Sequence, residues 1–271
     1  LKKENLKMKT SVSANSYPSD SEIVSLLNGP GLQYKWGGPV GTSTDLSFSF
    51  ASNDTFRIDQ AYQDSLEAYT TFYESGLNES IFSNPDYSFR TFTDSQKALI
   101  RESLDSWSDV TGLNFIEIEE STNGNSYGDI RFFAQDFLNW TTVDPFYEGV
   151  AGYAYLPYYD GFDDALEGDV FLDTYHLNLD SYSSHLIAHE IGHALGLDHP
   201  FEGANVADLK NYETVMSYDN SFVLPNDPMP IDIKAMEFLY GSNSNANSGN
   251  DLYSWTTYED LNFRNSIVDK G

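Results

Sequence analysis

The chain of 271 residues contains no cysteine, so neither a disulfide nor a cysteine-based metal switch contributes to its structure or control. Nothing in it needs oxidising after folding, which suits export through a channel that passes unfolded chains. Basic residues are scarce: 14 Lys and Arg stand against 42 Asp and Glu, for a net charge of −28. Such a surface repels nucleic acid and anionic membranes, and neither is expected as a partner. The excess acid has two open readings, solubility in a salty or calcium-rich medium and calcium binding by some of the clusters. No apolar run approaches the ~18 residues that a bilayer span requires, so no membrane span is expected. Lys2, Lys3, Lys7 and Lys9 are not followed by an apolar stretch, and residues 1–10 do not read as a secretory signal peptide. Histidine is scarce too: there are five, and three of them fall between positions 189 and 199.

What is present can build a core. Hydrophobic residues make up 40% and aromatic residues 15%, with 19 Tyr and 18 Phe. The length suits one large domain, or one domain plus a small module. Residues 1–20 are polar and rich in Ser and Asn, and are expected to be flexible. Ile23, Leu26 and Leu27 predict a short helix over 21–28. Leu46, Phe48 and Phe50 alternate with serines, as in a strand. Residues 53–89 show no clear period and read as an insertion. Asp94 is expected to cap a helix carrying Ile100, Leu104 and Trp107, ended by Gly112. Strands are predicted over 114–119, 128–134, 152–156 and 169–173, followed by a helix over 183–197. This order fits an α+β domain built on a twisted mixed sheet. Residues 242–250 read as a linker, and 251–271 are too short to fold alone.

The most informative stretch is His189-Glu190-Ile191-Gly192-His193-Ala194-Leu195-Gly196-Leu197-Asp198-His199-Pro200. On a helix, His189 and His193 share one face, one turn apart, and so aim two nitrogens at one metal. Glu190 is rotated by about 100° and can reach a metal-bound water instead of the metal. Gly196 lets the helix stop and the chain turn, which brings His199 back as a third ligand. Three ligands leave a coordination position open, as a catalytic zinc needs. An ordinary amphipathic helix with solvated or core histidines would share the four-residue spacing but not the placed glycine and third histidine.

This stretch resembles the zinc signature of the metzincin metallopeptidases. Thr214-Val215-Met216-Ser217-Tyr218 resembles their methionine turn, and Ser217-Tyr218 favours the serralysin branch over a matrixin-like peptidase. Residues 230–241, from Pro230 to Gly241, resemble the closing helix of the same domain. The resemblance runs over about residues 40–241. It implies a metzincin-like zinc peptidase domain with a twisted mixed sheet, a zinc-binding active-site helix and a C-terminal helix, occupying 21–241. Residues 1–20 then read as a flexible segment, with a propeptide remnant and a disordered tail both open. Residues 242–271 read as a linker and the start of a truncated C-terminal β-roll, entered at Ser266-Ile267-Val268-Asp269-Lys270-Gly271.

The resemblance implies a secreted, extracellular zinc endopeptidase acting on proteins and peptides as a monomer. His189, His193 and His199 would hold the zinc and Glu190 would act as general base. Met216 would form an apolar floor under the histidines. Tyr218 would be a fourth ligand at rest and a donor to the reaction intermediate. The strand from Gly152 to Pro157 would pair with an extended substrate. His185 is expected to have an outer or surface role, and His176 a surface or core role. Asp160, Asp163, Asp164, Asp169 and Asp173 leave two readings open, calcium ligands or a solvated acidic loop. Tyr153 and Phe171 stand where matrixins carry structural-zinc histidines, so no second zinc is expected. A reading from another class is a non-catalytic adhesin or interaction module that retains the fold.

Overall fold

The computed structural model describes residues 9–29, 32–52, 55, 89–121, 126–137, 149–157, 166–202, 206–218 and 224–243. The chain starts with strand β1 (Lys9–Ser11), a 3-10 turn (Ala14–Ser16) and a short helix α1 (Ser21–Ser25). Strand β2 (Tyr34–Trp36) pairs antiparallel with β1. Val12 is fully buried. The structure therefore differs from the flexible segment expected over 1–20. Residues 9–17 belong to the folded unit, because one apolar side chain and a two-strand ladder anchor an otherwise polar stretch.

Strand β3 (Thr44–Phe50) follows the predicted alternation, with Leu46 and Phe48 turned into the core. Helix α2 (Asp94–Val110) buries Ile100, Leu104, Trp107 and Val110 on one face, as the helical spacing predicted. Its cap is one residue earlier than expected. Thr93, not Asp94, is the N-cap: its Oγ1 accepts from Gln96 N, and Gln96 Oε1 accepts from Thr93 N, closing a capping box. Asp94 sits in the first turn, where a negative charge faces the positive end of the helix dipole. The threonine–glutamine spacing carried this signal.

Strands β4 (Leu113–Glu117), β5 (Ile130–Gln135), β6 (Gly152–Ala154) and β7 (Val170–Asp173) complete a five-stranded sheet in the order β4-β3-β5-β7-β6. All neighbours are parallel except β6, which runs antiparallel to β7 at the sheet edge. Helix α3 (Ser181–Ala194) packs against α2, β6 and β7. Helix α4 (Pro230–Tyr240) closes the domain and packs on α1. Alternate residues of the inner strands, such as Phe132, Ala134, Val170 and Leu172, meet the helices in one hydrophobic core. This α+β arrangement with a mixed sheet is the fold class read from the sequence.

The other face of the sheet carries a second apolar layer. Phe133 stacks on Phe171 at 4.5 Å between ring centroids, and Phe171 on Tyr153 at 4.6 Å. Tyr153 and Phe171 are thus members of an aromatic ladder. Residues 53–54 and 56–88, the three acidic residues Asp160, Asp163 and Asp164, and the expected β-roll entry lie outside the described residues.

Candidate metal and active site

Helix α3 ends in a sharp, well-satisfied turn. Gly196 N–H donates to His193 O (2.8 Å) and Leu197 N–H donates to Gly192 O (2.9 Å). This is a Schellman cap with Gly196 at the left-handed position, φ +110°. The turn reverses the chain and returns His199 to the helix face that carries His189 and His193. The three Nε2 atoms form a triangle with sides of 3.2, 3.2 and 3.1 Å. Among the described residues, these histidines form a group whose ligand atoms lie close enough to share one ion.

The donor set tests the fit to zinc. His189 Nδ1 lies 2.8 Å from Val215 O, and His193 Nδ1 lies 2.7 Å from Leu197 O. A carbonyl only accepts, so both Nδ1 atoms carry the proton and both Nε2 atoms face each other with bare lone pairs. Burial pulls the His193 imidazolium down to about 3 and that of His189 well below its ordinary value, so both rings are neutral. Two bare lone pairs at 3.2 Å repel unless a cation lies between them. Zinc with nitrogens at about 2.0–2.1 Å in tetrahedral geometry separates them by about 3.3–3.4 Å, close to the triangle seen. His199 differs from the other two in its outer partner. Its Nδ1 lies 3.3 Å from a carboxylate oxygen of Glu202.

Glu190 is 4% exposed, and its Oε2 has no hydrogen-bond partner. Packing holds it instead. A Cβ added to Gly152 on β6 would lie 3.0 Å from both Glu190 Cγ and Oε1. A side chain at this point of the edge strand would press on the carboxyl group. Burial pushes the Glu190 carboxyl up to about 8; a dication within reach acts in the opposite sense.

Met216 is fully buried beneath the helix. A Cβ on Gly192 would lie 2.5 Å from the Met216 sulfur, so glycine within the helix lets the sulfur reach its backbone. The turn carrying Met216 is fixed by Asp232, in the first turn of α4. Asp232 Oδ1 accepts from Thr214 Oγ1 (2.5 Å), and Oδ2 accepts from Val215 N (2.7 Å) and Met229 N (2.8 Å). Burial raises this carboxyl to about 6 while the three donors pull it down. Val215 thus donates to Asp232 through its N–H and accepts from His189 through its carbonyl. Asp232→Ala should leave three buried donors unpaired and cost about 3 kcal/mol or more, read as a shift in the denaturant midpoint. A midpoint unchanged from wild type would remove Asp232 as the anchor of this turn.

Tyr218 lies over the site. Its ring is 5.1 Å from His189 and 4.5 Å from His199, and it is 60% exposed. Desolvation, then the Glu190 charge, push its phenol well above the ordinary tyrosine range, so it stays protonated and can donate. His185 is buried against Pro225 O at 2.8 Å, outside the triangle. His176 pairs with Asp173 at 2.7 Å. Asp173 Oδ1 also accepts from Phe137 N and Tyr175 N. Asp173 is thereby committed to holding the turn after β7, and no metal-binding group of described residues includes Asp169 or Asp173.

Sequence reasoning named the histidines, Glu190, Met216 and Tyr218, and the structure brings them together. It missed the roles of Asp232 and Gly152. Asp232 had a readable signal, since an acidic residue at the third helical position after a Pro start is a capping residue.

A mixed sheet with an antiparallel edge strand, over a helix that presents two histidines and a returning third, defines a metzincin-type peptidase domain. The chain belongs to the matrixin family of peptidases, whose family model matches residues 80–241. Among the relatives it resembles are serralysins. It is similar to a serralysin of Proteus mirabilis, 28% identical over 90% of this chain and 54% of the relative. A metallopeptidase AprA of Pseudomonas marginalis is 26% identical over 83% of this chain and 52% of the relative. A serralysin of Photorhabdus laumondii is 27% identical over 65% of this chain and 39% of the relative. The chain spans about half the length, or less, of these relatives.

Proposed function

We propose that this chain carries the catalytic domain of a secreted zinc endopeptidase that hydrolyses peptide bonds in proteins. The observation that carries this reading is Glu190. A carboxyl group buried with its Oε2 unpartnered, one residue from the first of three converging imidazoles, is costly to keep and fits a role in chemistry. His189, His193 and His199 would hold the metal, with Tyr218 as a further ligand at rest. When bound, zinc supplies Lewis-acid chemistry, acidifying water and polarising the scissile carbonyl.

The remaining steps fall to the chain itself. Strand β6, at the sheet edge, offers main-chain groups to an extended peptide. Glu190 takes a proton from the attacking water and passes it to the leaving amine. Gly152 leaves room for that carboxylate beside the bound peptide. The Tyr218 phenol donates to the oxygen that gains charge as the carbonyl becomes tetrahedral. Tyr218→Phe should therefore keep zinc and fold but lower kcat by about a hundredfold, or ~3 kcal/mol, with a smaller change in KM. An unchanged kcat at full zinc occupancy would make Tyr218 a structural residue.

The class of reaction is tested with denatured casein, with and without a zinc chelator. Hydrolysis that stops on chelation and returns with zinc supports the proposal. Absence of hydrolysis by zinc-loaded protein would overturn it. Secretion and a monomeric state are proposed alongside: the cysteine-free, acidic composition supports the first.

A further inference from the structure

The last turn of helix α3 leaves carbonyls without helical partners, as every helix end does. Here the carbonyls of the last helical residue and of the two residues after it are each capped by a side chain from a distant segment. Trp36 Nε1 donates to Ala194 O (2.9 Å), Tyr240 Oη donates to Leu195 O (2.8 Å) and Gln33 Nε2 donates to Gly196 O (2.8 Å). Asp198 N–H donates to Leu26 O (2.9 Å) in the same region. Two of the three caps, and the Leu26 carbonyl, come from residues 26–36. That segment precedes everything the zinc signature contains.

Gln33 is the member that touches the turn itself. It is 2% exposed. Its Nε2 also donates to Tyr34 O (3.0 Å), and its Oε1 accepts from Asn28 N (2.7 Å). Its own backbone is tied down: Gln33 N–H donates to Gly29 O (2.9 Å) and Gln33 O accepts from Val12 N (2.8 Å). Its amide is therefore fixed before it meets Gly196. The fit is tight, since a Cβ on Gly196 would lie 3.0 Å from Gln33 Nε2.

Two histidines depend on that turn. His193 is oriented by Leu197 O, the carbonyl directly after Gly196. His199 is placed by the reversal that Gly196 begins and that Asp198 N–H completes on Leu26 O. His189 depends on Val215 instead. We propose that Gln33 is a positioning residue for the metal site, fixing the turn that aligns His193 and His199. The inference rests on the three-histidine reading of the site. Groups that orient metal ligands typically contribute about 10–100-fold to metal affinity.

The test measures zinc affinity of the whole chain by competition with a chromophoric chelator, well below the melting temperature. Gln33→Met keeps size and loses both donors and the acceptor. It is expected to weaken zinc binding by about tenfold or more, while the metal-free protein stays folded by circular dichroism. A purely structural glutamine would lower the melting temperature and leave the affinity of the folded protein unchanged, and that result overturns the proposal. Should Gln33→Met fail to fold, Gly196→Ala addresses the same contact from the turn side. A zinc affinity equal to wild type in folded Gly196→Ala likewise overturns it. Wild-type protein that binds no zinc would instead overturn the three-histidine site. Tight zinc binding without casein hydrolysis would overturn the proposed reaction and leave the role of Gln33 standing.

Discussion

Glu190→Gln should retain one zinc per chain and lose most peptide hydrolysis. The two side chains have nearly the same shape, and packing rather than hydrogen bonding holds Glu190. Gly152 on the edge strand lies against it, and Leu186, one turn earlier on the helix, approaches the same glycine. The amide can therefore occupy the same place. It cannot accept the proton of the attacking water, and general base catalysis of this kind contributes about 10²–10⁴-fold. Loss at the upper end of that range is expected, because no other described carboxylate is buried in the site without a partner. Stability should not fall, since the amide removes a buried acid whose ionisation burial opposes. kcat/KM on one peptide, zinc content and melting temperature are the three readouts. Turnover like wild type at full zinc occupancy would exclude Glu190 as the base.

The same residues show what a sequence exposes and what it hides. The triangle of imidazoles was legible because its geometry is local. Two histidines one helical turn apart share a face by the pitch of the helix alone. Gly196 at a helix end predicts a left-handed residue, and the chain adopts φ +110° there. Leu46 and Phe48, or Ile100, Leu104 and Trp107, announced buried faces by their periods. Gln33 was hidden for the opposite reason, and so was the partner, though not the capping position, of Asp232. Each acts on a peptide 163 or 17 positions away, and nothing in their neighbours' periodicity marks such a pairing. The early segment misled because its composition is polar, while its order derives from one buried valine and a short ladder. The outer face of the sheet was also unreadable. Phe133 and Phe171 look like strand residues in any register, and only the pairing of β5 with β7 places them ring on ring.

His193→Ala should release zinc and abolish hydrolysis while leaving the fold in place. The ring contributes one corner of the nitrogen triangle, 3.2 Å from His189 and 3.1 Å from His199. Its removal leaves two imidazoles, too few to hold a tetrahedral zinc firmly, and affinity should fall by more than about a hundredfold. The fold should tolerate the change. Alanine is the best helix former, and the site lies in the last turn of α3. The substitution also leaves Leu197 O without the His193 donor, a loss of about 1–3 kcal/mol. Zinc at a hundred times its dissociation constant stabilises a folded protein by about 2.7 kcal/mol. Wild type should therefore melt higher when zinc is added, and His193→Ala should not. That comparison separates ligand loss from a damaged fold without any substrate. Peptide hydrolysis then separates His193→Ala from Glu190→Gln, because the first loses activity with its metal and the second loses activity despite it. One zinc per chain in purified His193→Ala, with a melting shift equal to wild type, would remove His193 from the ligand set.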